Sequence, residues 1–134
     1  MLFRSNPATD LQYLKEKVDA GADYIITQMF FDNAKFHAFV KDCRAIGITV
    51  PIIPGLKPIY TKKQLTVLPK TFHIDLPTEL SNEVLRCKTD LDVEKVGKEW
   101  LLAQSKELKA AGVPVLHYYT LGRPQLVADV VKDI

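Results

Sequence analysis

The sequence predicts an α/β fold with a parallel β-sheet, and three observations support this prediction. Predicted helices and strands alternate along the chain, as they do when βα units repeat around a parallel sheet. Three helix-to-strand junctions carry a glycine that can end the helix, at Gly21, Gly47 and Gly112. The strands are continuous apolar runs, which is typical of a sheet covered on both faces.

The succession of units favours a (β/α)8 barrel over a Rossmann-like sheet, because no G-x-G-x-x-G motif follows any strand. A complete barrel needs eight strands and about 250 residues, whereas this chain of 134 residues holds three predicted strands. The predicted fold class is therefore α/β, a partial TIM (β/α)8 barrel. Residues 1–134 are predicted to form a single partial domain.

The first half of the chain contains two predicted helix–strand pairs. The predicted elements are a helix capped by Thr9 and ended by Gly21, a strand over residues 24–27, a helix capped by Asp32 or Asn33 and ended by Gly47, and a strand over residues 49–53. Residues 1–8 are predicted to be irregular. Pro51 has no N–H for a sheet ladder, so it must lie where the ladder needs no donor.

The second half begins with a less regular stretch and ends with a helix, a strand and a helix. Its predicted elements are a short helix over about residues 61–68, a loop at 71–73, a short helix over 78–86, a long helix over 91–111, a strand over 113–119 and a final helix opened by Pro124. The long helix has a stripe at helical spacing, made of Val93, Val96, Trp100, Leu101, Gln104 and Leu108. This stripe makes the helix amphipathic.

Composition and charge exclude several classes of protein. The 18 Lys and Arg residues are interspersed with 16 Asp and Glu residues and leave a formal charge of +2, so no nucleic-acid partner is predicted. Cys43 and Cys87 belong to no C-x-x-C or Cys/His cluster, so neither a disulfide framework nor a metal site is predicted. No apolar run approaches the roughly 20 residues of a membrane span, and the first residues lack a secretory pattern. The predicted location is cytoplasmic, with no membrane partner.

Polar side chains near the carboxyl ends of the strands are the candidates for function, because barrel enzymes bind substrates at that face. Gln28 follows the first strand, and its amide suits a flat heterocycle. Arg123 follows the third strand and can clamp a carboxylate. Gln64 adds an amide from the helix after the second strand. Structural alternatives stay open, namely backbone hydrogen bonds for a glutamine and a surface ion pair for Arg123.

Four segments of the chain closely resemble the methylenetetrahydrofolate reductase family. They are Asp10-Leu11 with residues 14–23 (LKEKVDAGAD), residues 25–28 (IITQ) with 30–32 (FFD), residues 51–55 (PIIPG) with Pro58-Ile59, and residues 117–121 (HYYTL) with Arg123. They occur in the family's order and spacing, and the resemblance extends from about Asp10 to the C-terminus. The combination is highly specific, although no single segment would be.

The resemblance implies a flavin-dependent (β/α)8 barrel, of which this chain would be the C-terminal half with strands six to eight and a preceding helix. In that family NADH or NADPH gives hydride to FAD, and the reduced flavin converts 5,10-methylenetetrahydrofolate to 5-methyltetrahydrofolate. The implied cofactor is therefore FAD, with NAD(P)H as co-substrate. The implied substrate is a folate.

The resemblance also implies roles for individual residues. By position, Gln28 matches a glutamine that hydrogen-bonds the pterin, and Gln64 and Arg123 match residues that hold the p-aminobenzoylglutamate part of folate. Asp10 and Lys17 match contacts to the ribose and phosphates of FAD. No catalytic residue is assigned, because the family's general acid is a glutamate in the strands that this chain lacks.

Two departures from the family pattern accompany the missing strands. Gly122 stands where the family commonly has asparagine, and Leu68 stands where bacterial members have phenylalanine. One hypothesis is that the chain is a reductase fragment, inactive alone, that associates with the missing N-terminal half-barrel or with itself through open sheet edges. The alternative is a non-catalytic barrel remnant that acts as a packing or partner-binding module.

Overall fold

A computed structural model describes the backbone of residues 7–72, 74–120 and 123–134, and their side chains from Leu11 onward. Within these ranges the helices are α1 (Pro7–Asp19), α2 (Asn33–Ala45), α3 (Gln64–Phe72), α4 (Thr78–Arg86), α5 (Asp90–Ala110) and α6 (Pro124–Val131), and the strands are β1 (Ile25–Met29), β2 (Ile52–Leu56) and β3 (His117–Tyr118). The side chain of Asp10, the predicted loop residue His73, and Gly122 lie outside the described part of the chain.

The strands of the described ranges form one sheet in the order β1-β2-β3. β1 pairs with β2 in parallel, and β2 pairs with β3 in parallel. Strands that follow each other in the sequence therefore lie side by side, with helices in each connection, as in a succession of βα units. The predicted α/β fold with a parallel sheet is confirmed.

The glycine junctions are formed as predicted. Gly21, Gly47 and Gly112 have φ angles of 126°, 90° and 89°, in the left-handed region that glycine adopts without steric cost. In each junction the residue after the glycine donates its N–H back to a carbonyl in the last turn of the helix. This is the cap that ends α1, α2 and α5 and turns the chain toward the next strand.

The second strand lies three residues later than predicted, at Ile52–Leu56 instead of 49–53. Pro51 precedes this strand, and its carbonyl oxygen accepts a hydrogen bond from β1, so the residue without a donor contributes only an acceptor. Pro54 lies inside the strand, and the β1–β2 register shifts opposite it. This irregularity explains how a central strand accommodates a residue that has no N–H to donate.

Other element boundaries also differ from the prediction. α1 begins at Pro7, so residues 7 and 8 are helical rather than irregular, because a proline fits the first turn of a helix. α3 starts three residues later than predicted, since a turn precedes it, and it includes residues 71 and 72 of the predicted loop. β3 is shorter than predicted, because its pairing is limited to the last two residues of β2. Helix 78–86 and the start of the last helix at Pro124 are confirmed.

Two clusters of buried apolar side chains hold the helices on the sheet. The first includes Leu14, Ile25, Phe36, Phe39, Cys43, Ile48, Ile52, Leu56, Leu101, Leu108 and Val130. The second gathers around the segments that follow β1 and β2 and includes Met29, Phe31, Ile59, Leu68, Ile74, Leu80, Val84 and Val93. Helix α5 contributes to both clusters through its predicted stripe. It therefore links the core to the segments at the carboxyl ends of the strands.

Helix α5 and the segment after β2 meet backbone to backbone at Gly97. A Cβ atom added to Gly97 would lie 1.8 Å from the carbonyl oxygen of Ile59 and 2.8 Å from its carbonyl carbon. No flexible side chain can move away to relieve such a clash. Only glycine therefore allows the helix and this segment to keep their present separation.

Replacing Gly97 with alanine is expected to lower the free energy of unfolding by roughly 2 kcal/mol, because displacement of Ile59 outweighs the helix propensity gained from alanine. Urea unfolding followed by the fluorescence of Trp100, the chain's one tryptophan, measures this change. The control is Glu99→Ala at an exposed position of the same helix, which should shift stability by less than about 0.5 kcal/mol. An unchanged or higher midpoint for Gly97→Ala would contradict the close contact.

Candidate functional site

The three residues predicted to bind substrate come from segments at the same edge of the sheet. Gln28 is the second-last residue of β1, Gln64 opens α3 after β2, and Arg123 is the N-cap of α6 after β3. Because the strands are parallel, their carboxyl ends lie together at this edge. We call it the carboxyl edge.

Gln64 and Arg123 converge on the side chain and backbone of Tyr60. The Oε1 atom of Gln64 accepts hydrogen bonds from the N–H groups of Tyr60, at 2.7 Å, and Thr61, at 3.2 Å. The guanidinium carbon of Arg123 lies 4.8 Å from the centre of the Tyr60 ring, and its nitrogen donates to the carboxylate of Glu94 on α5. Both structural alternatives are thus present, because Gln64 accepts hydrogen bonds from the backbone and Arg123 forms an ion pair. The Nε2 group of Gln64 makes no hydrogen bond to a described residue, so it can still donate to a ligand.

Gln28 lies on the more open face of β1. Burial alternates along this strand, with Ile25, Thr27 and Met29 buried and Gln28 only half-buried on the other face. Within the described ranges, the side chain of Gln28 makes no hydrogen bond, and none links it to Gln64 or Arg123. Its amide is therefore available to a ligand, but the structure does not connect it directly to the other two predicted residues.

An aromatic bridge between the outer strands lies beside Gln28 and was not predicted. The hydroxyl of Tyr119 donates to the carbonyl of Thr27 at 2.9 Å, which joins the end of β3 to β1 across β2. Gly55 makes room for it, since a Cβ there would lie 2.7 Å from Cε2 of Tyr119. Thr27 also accepts the N–H of Gly55 through its hydroxyl at 2.9 Å. The sequence signal was the small Gly55 in an apolar strand.

Helix α5 also holds the segment that follows β1. The indole N–H of Trp100 donates to the Phe31 carbonyl at 2.8 Å, and Nε2 of Gln104 donates to the Phe30 carbonyl at 3.3 Å and to Oδ1 of Asn33 at 3.1 Å. Beside these contacts is an open groove of about 570 Å³ to which Trp100 and Gln104 contribute. Trp100 and Gln104, two residues of the predicted stripe, thus donate hydrogen bonds that hold the segment after β1.

Lys57 is the site residue that the sequence analysis missed. It follows β2 directly and is only 2% exposed. Its Nζ atom donates to the carbonyl of Pro58 at 3.0 Å and lies 4.6 Å from the centre of the Tyr60 ring. Burial lowers the pKa of Lys57 from 10.5 to about 8. No carboxylate of the described residues forms a salt bridge with it. The available signal was a lysine enclosed by the apolar run from Ile52 to Ile59.

Together, Lys57, Tyr60, Gln64, Glu94 and Arg123 form what we call the Tyr60 cluster. It contains two cations and one carboxylate around a single aromatic ring. Such a set of groups can bind an anion beside a flat apolar surface. It contains no nucleophile paired with a base, which favours recognition of a ligand over covalent catalysis.

The two residues predicted to bind FAD lie elsewhere. Lys17 is exposed in the last turn of α1, and that turn leads into the amino end of β1, away from the carboxyl edge. It forms no ion pair with a described residue, whereas Lys15 pairs with Asp19 at 2.6 Å. For Asp10 only the helical backbone is described, so its contact stays a prediction. Within the described ranges there is no group of His, Cys, Asp or Glu that could hold a metal ion, and no helix has both the length and the apolar character needed to cross a membrane.

The low pKa of Lys57 predicts a specific dependence of stability on pH. Between pH 8 and 10.5 the folded lysine is largely neutral while the unfolded one stays protonated, so the unfolded state binds more protons and stability rises with pH. Relative to the Lys57→Met variant, the wild-type chain should therefore gain on the order of 2 kcal/mol across this range. The difference between variants cancels the opposite contribution of the buried Cys43, whose pKa burial raises to about 11.

Urea unfolding at a series of pH values measures this difference. The control variant is Lys62→Met, which removes an exposed lysine from the same segment and should leave the pH profile unchanged. Parallel profiles for the wild type and Lys57→Met would contradict a desolvated Lys57.

The chain matches a known family over most of its length. The model of the family described as methylenetetrahydrofolate reductase matches residues 4–134. A protein from Caenorhabditis elegans named probable methylenetetrahydrofolate reductase (NADPH) is 39% identical over 127 residues, which are 93% of this chain and 19% of that protein. Methylenetetrahydrofolate reductase (NADH) 1 from Arabidopsis thaliana is 42% identical over 127 residues, which are 94% of this chain and 22% of that protein. This chain thus spans about a fifth of the length of these relatives.

A bacterial relative supports this match, and a solved structure shares the fold. The 5,10-methylenetetrahydrofolate reductase of Pectobacterium carotovorum is 36% identical over 118 residues, which are 87% of this chain and 40% of that protein. An uncharacterized protein from Clostridium thermocellum, described as binding two copies of 5-methyl-5,6,7,8-tetrahydrofolic acid, shares the fold with a TM-score of 0.58 at 20% identity, over 92% of this chain and 46% of that one. Because the family model covers nearly all residues, the chain belongs to the methylenetetrahydrofolate reductase family.

Proposed function

We propose that this chain forms the folate-binding side of a methylenetetrahydrofolate reductase site and supplies strands six to eight of its (β/α)8 barrel. The reaction is the reduction of 5,10-methylenetetrahydrofolate to 5-methyltetrahydrofolate, with NAD(P)H as the source of hydride. The observation that carries the proposal is the convergence of Gln64 and Arg123 on Tyr60 at the carboxyl edge. Family membership makes a folate the ligand that best explains this set of groups.

Each candidate residue has a role that suits its chemistry. The amide of Gln28 can donate to and accept from the edge of a pterin. The guanidinium of Arg123 matches a carboxylate of the glutamate part of folate. Gln64 holds the backbone at Tyr60 and Thr61 with its oxygen, which leaves its amide N–H group for the p-aminobenzoyl part.

FAD fits the described residues only in part. Lys17 is exposed and has no ion-pair partner among them, so its ammonium can face the phosphates of the cofactor. Bound FAD would supply the hydride acceptor and donor of the reaction. The described residues offer binding and orientation of the folate, and the contacts to the flavin ring would come from barrel strands outside these 134 residues.

The sheet itself supports association with further strands. Among the described residues, β3 is an outer strand of the sheet and pairs with β2 on one side. A barrel closes by pairing every strand with two neighbours, whereas an open edge favours pairing with other chains. The complementary part of the barrel is therefore the proposed partner, and self-association is the expected behaviour of the chain alone.

Reconstitution tests the reductase proposal. The 134-residue chain is purified alone and after coexpression with the part of the Pectobacterium carotovorum relative that precedes its matching region. Alone it should retain no FAD and oxidise no NAD(P)H, whereas the complemented protein should do both, as measured by flavin absorbance and NAD(P)H consumption. Lys17→Met should reduce FAD retention, while Lys41→Met, an exposed lysine on α2, should not.

The outcomes of this experiment separate the hypotheses. Stoichiometric FAD in the chain alone would contradict an incomplete flavin site. A well-folded complemented protein that binds neither FAD nor folate would contradict the reductase proposal and favour the non-catalytic remnant.

Arg123 and its partner Glu94 provide a second test. In the complemented protein, Arg123→Gln should weaken binding of 5-methyltetrahydrofolate by roughly tenfold or more, because a carboxylate loses its guanidinium partner. Glu94→Gln breaks the same ion pair but keeps the guanidinium, so it should preserve or strengthen binding. Calorimetric titration measures both dissociation constants. Equal losses in the two variants would mean that Arg123 acts only through its ion pair with Glu94.

A further inference from the structure

We infer that Lys57 is a second binding group for the glutamate carboxylates of the folate, and that Tyr60 covers it until the ligand enters. This inference rests on the proposed function and assigns a role to a residue that the family resemblance did not single out.

The charges of the Tyr60 cluster favour an anionic ligand. Lys57 and Arg123 both contact the Tyr60 ring, at 4.6 Å and 4.8 Å from its centre. Glu94 pairs with Arg123, and no carboxylate of the described residues pairs with Lys57. One positive charge is therefore left uncompensated at this ring. A carboxylate from a ligand would compensate it, which makes an anion the favoured occupant.

Burial of Lys57 increases what its ammonium gains from a carboxylate. A lysine that is 2% exposed and makes one hydrogen bond, to the Pro58 carbonyl, has lost most of its hydration and gained little in exchange. The lowered pKa of Lys57 reflects the same loss of hydration. An ammonium in this condition gains more from a ligand carboxylate than a hydrated surface lysine would.

The contacts of the Tyr60 ring allow a ligand to displace it from Lys57. Gln64 holds the backbone of Tyr60 through a hydrogen bond. The hydroxyl of Tyr60 makes no hydrogen bond to a described residue. The half-buried ring is therefore held by contacts such as those with the two cations. A charge-assisted hydrogen bond to a carboxylate is stronger than a cation–π contact at a half-exposed ring. A carboxylate can thus replace the ring at Lys57 while the backbone stays in place.

A truncated ligand tests the inference on the 134-residue chain as it is. The probe is p-aminobenzoylglutamate, which contains only the part of folate that Gln64, Arg123 and Lys57 would contact, and the matched probe is its uncharged diamide. Binding is measured by calorimetric titration. The wild-type chain should bind the acid at least roughly tenfold more tightly than the diamide.

Two variants assign this preference to Lys57. Lys57→Met keeps the buried stem of the side chain. It should weaken binding of the acid roughly tenfold and leave binding of the diamide unchanged. Lys62→Met should change the binding of neither probe. Tyr60→Leu removes the ring that covers Lys57 and should strengthen binding of the acid severalfold. Urea midpoints confirm that each variant is folded.

Three results would overturn the inference: no binding of the acid, equal binding of acid and diamide, or equal binding of the acid by the wild type and Lys57→Met. Retention of FAD and oxidation of NAD(P)H by the complemented protein are measured separately. Those activities would show that the reductase proposal stands even where the role of Lys57 fails.

Discussion

The candidate site depends on the close approach of helix α5 to the segment that follows β2. Backbone meets backbone there, because Gly97 places no side chain against the carbonyl of Ile59. That contact fixes the position of the segment, and Lys57 and Tyr60 lie within two residues of it. One turn earlier the same helix carries Glu94, which orients the guanidinium above the ring. A single helix thus determines where the ring, the ammonium and the guanidinium meet.

The parts of the fold that were predicted correctly are those with local causes. The left-handed glycines at Gly21, Gly47 and Gly112 need only their own backbone, and the start of α6 needs only a proline in the first turn. The second strand was placed three residues too early, since a strand is defined by its neighbours. Pro54 belongs to it only because β1 shifts register opposite that residue, and no local pattern reports such a shift.

The site shows the same division between local and non-local causes. Side chains at the ends of parallel strands are expected at one edge, and that rule brought Gln64 and Arg123 together correctly. The rule cannot say what those side chains already bind. The oxygen of Gln64 already accepts hydrogen bonds from the N–H groups of residues 60 and 61. The guanidinium of Arg123 already donates to Glu94, which is 29 residues away in the sequence. Lys57 is likewise buried with its ammonium over the Tyr60 ring, a contact that the strand pattern does not contain.

Recognition and hydride transfer have different structural requirements, and this chain meets them unequally. In the proposed function, the amide of Gln64, the ammonium of Lys57 and the guanidinium of Arg123 hold a flat ligand with an anionic tail, and each of these residues contacts Tyr60. Hydride transfer needs the pterin and the flavin at a fixed distance and angle, a positioning effect that can contribute about 7–11 kcal/mol to lowering a barrier. A surface that orients one reactant leaves that contribution unrealised. We therefore propose that three strands and their helices can retain binding of a folate tail, whereas turnover would require the closed barrel.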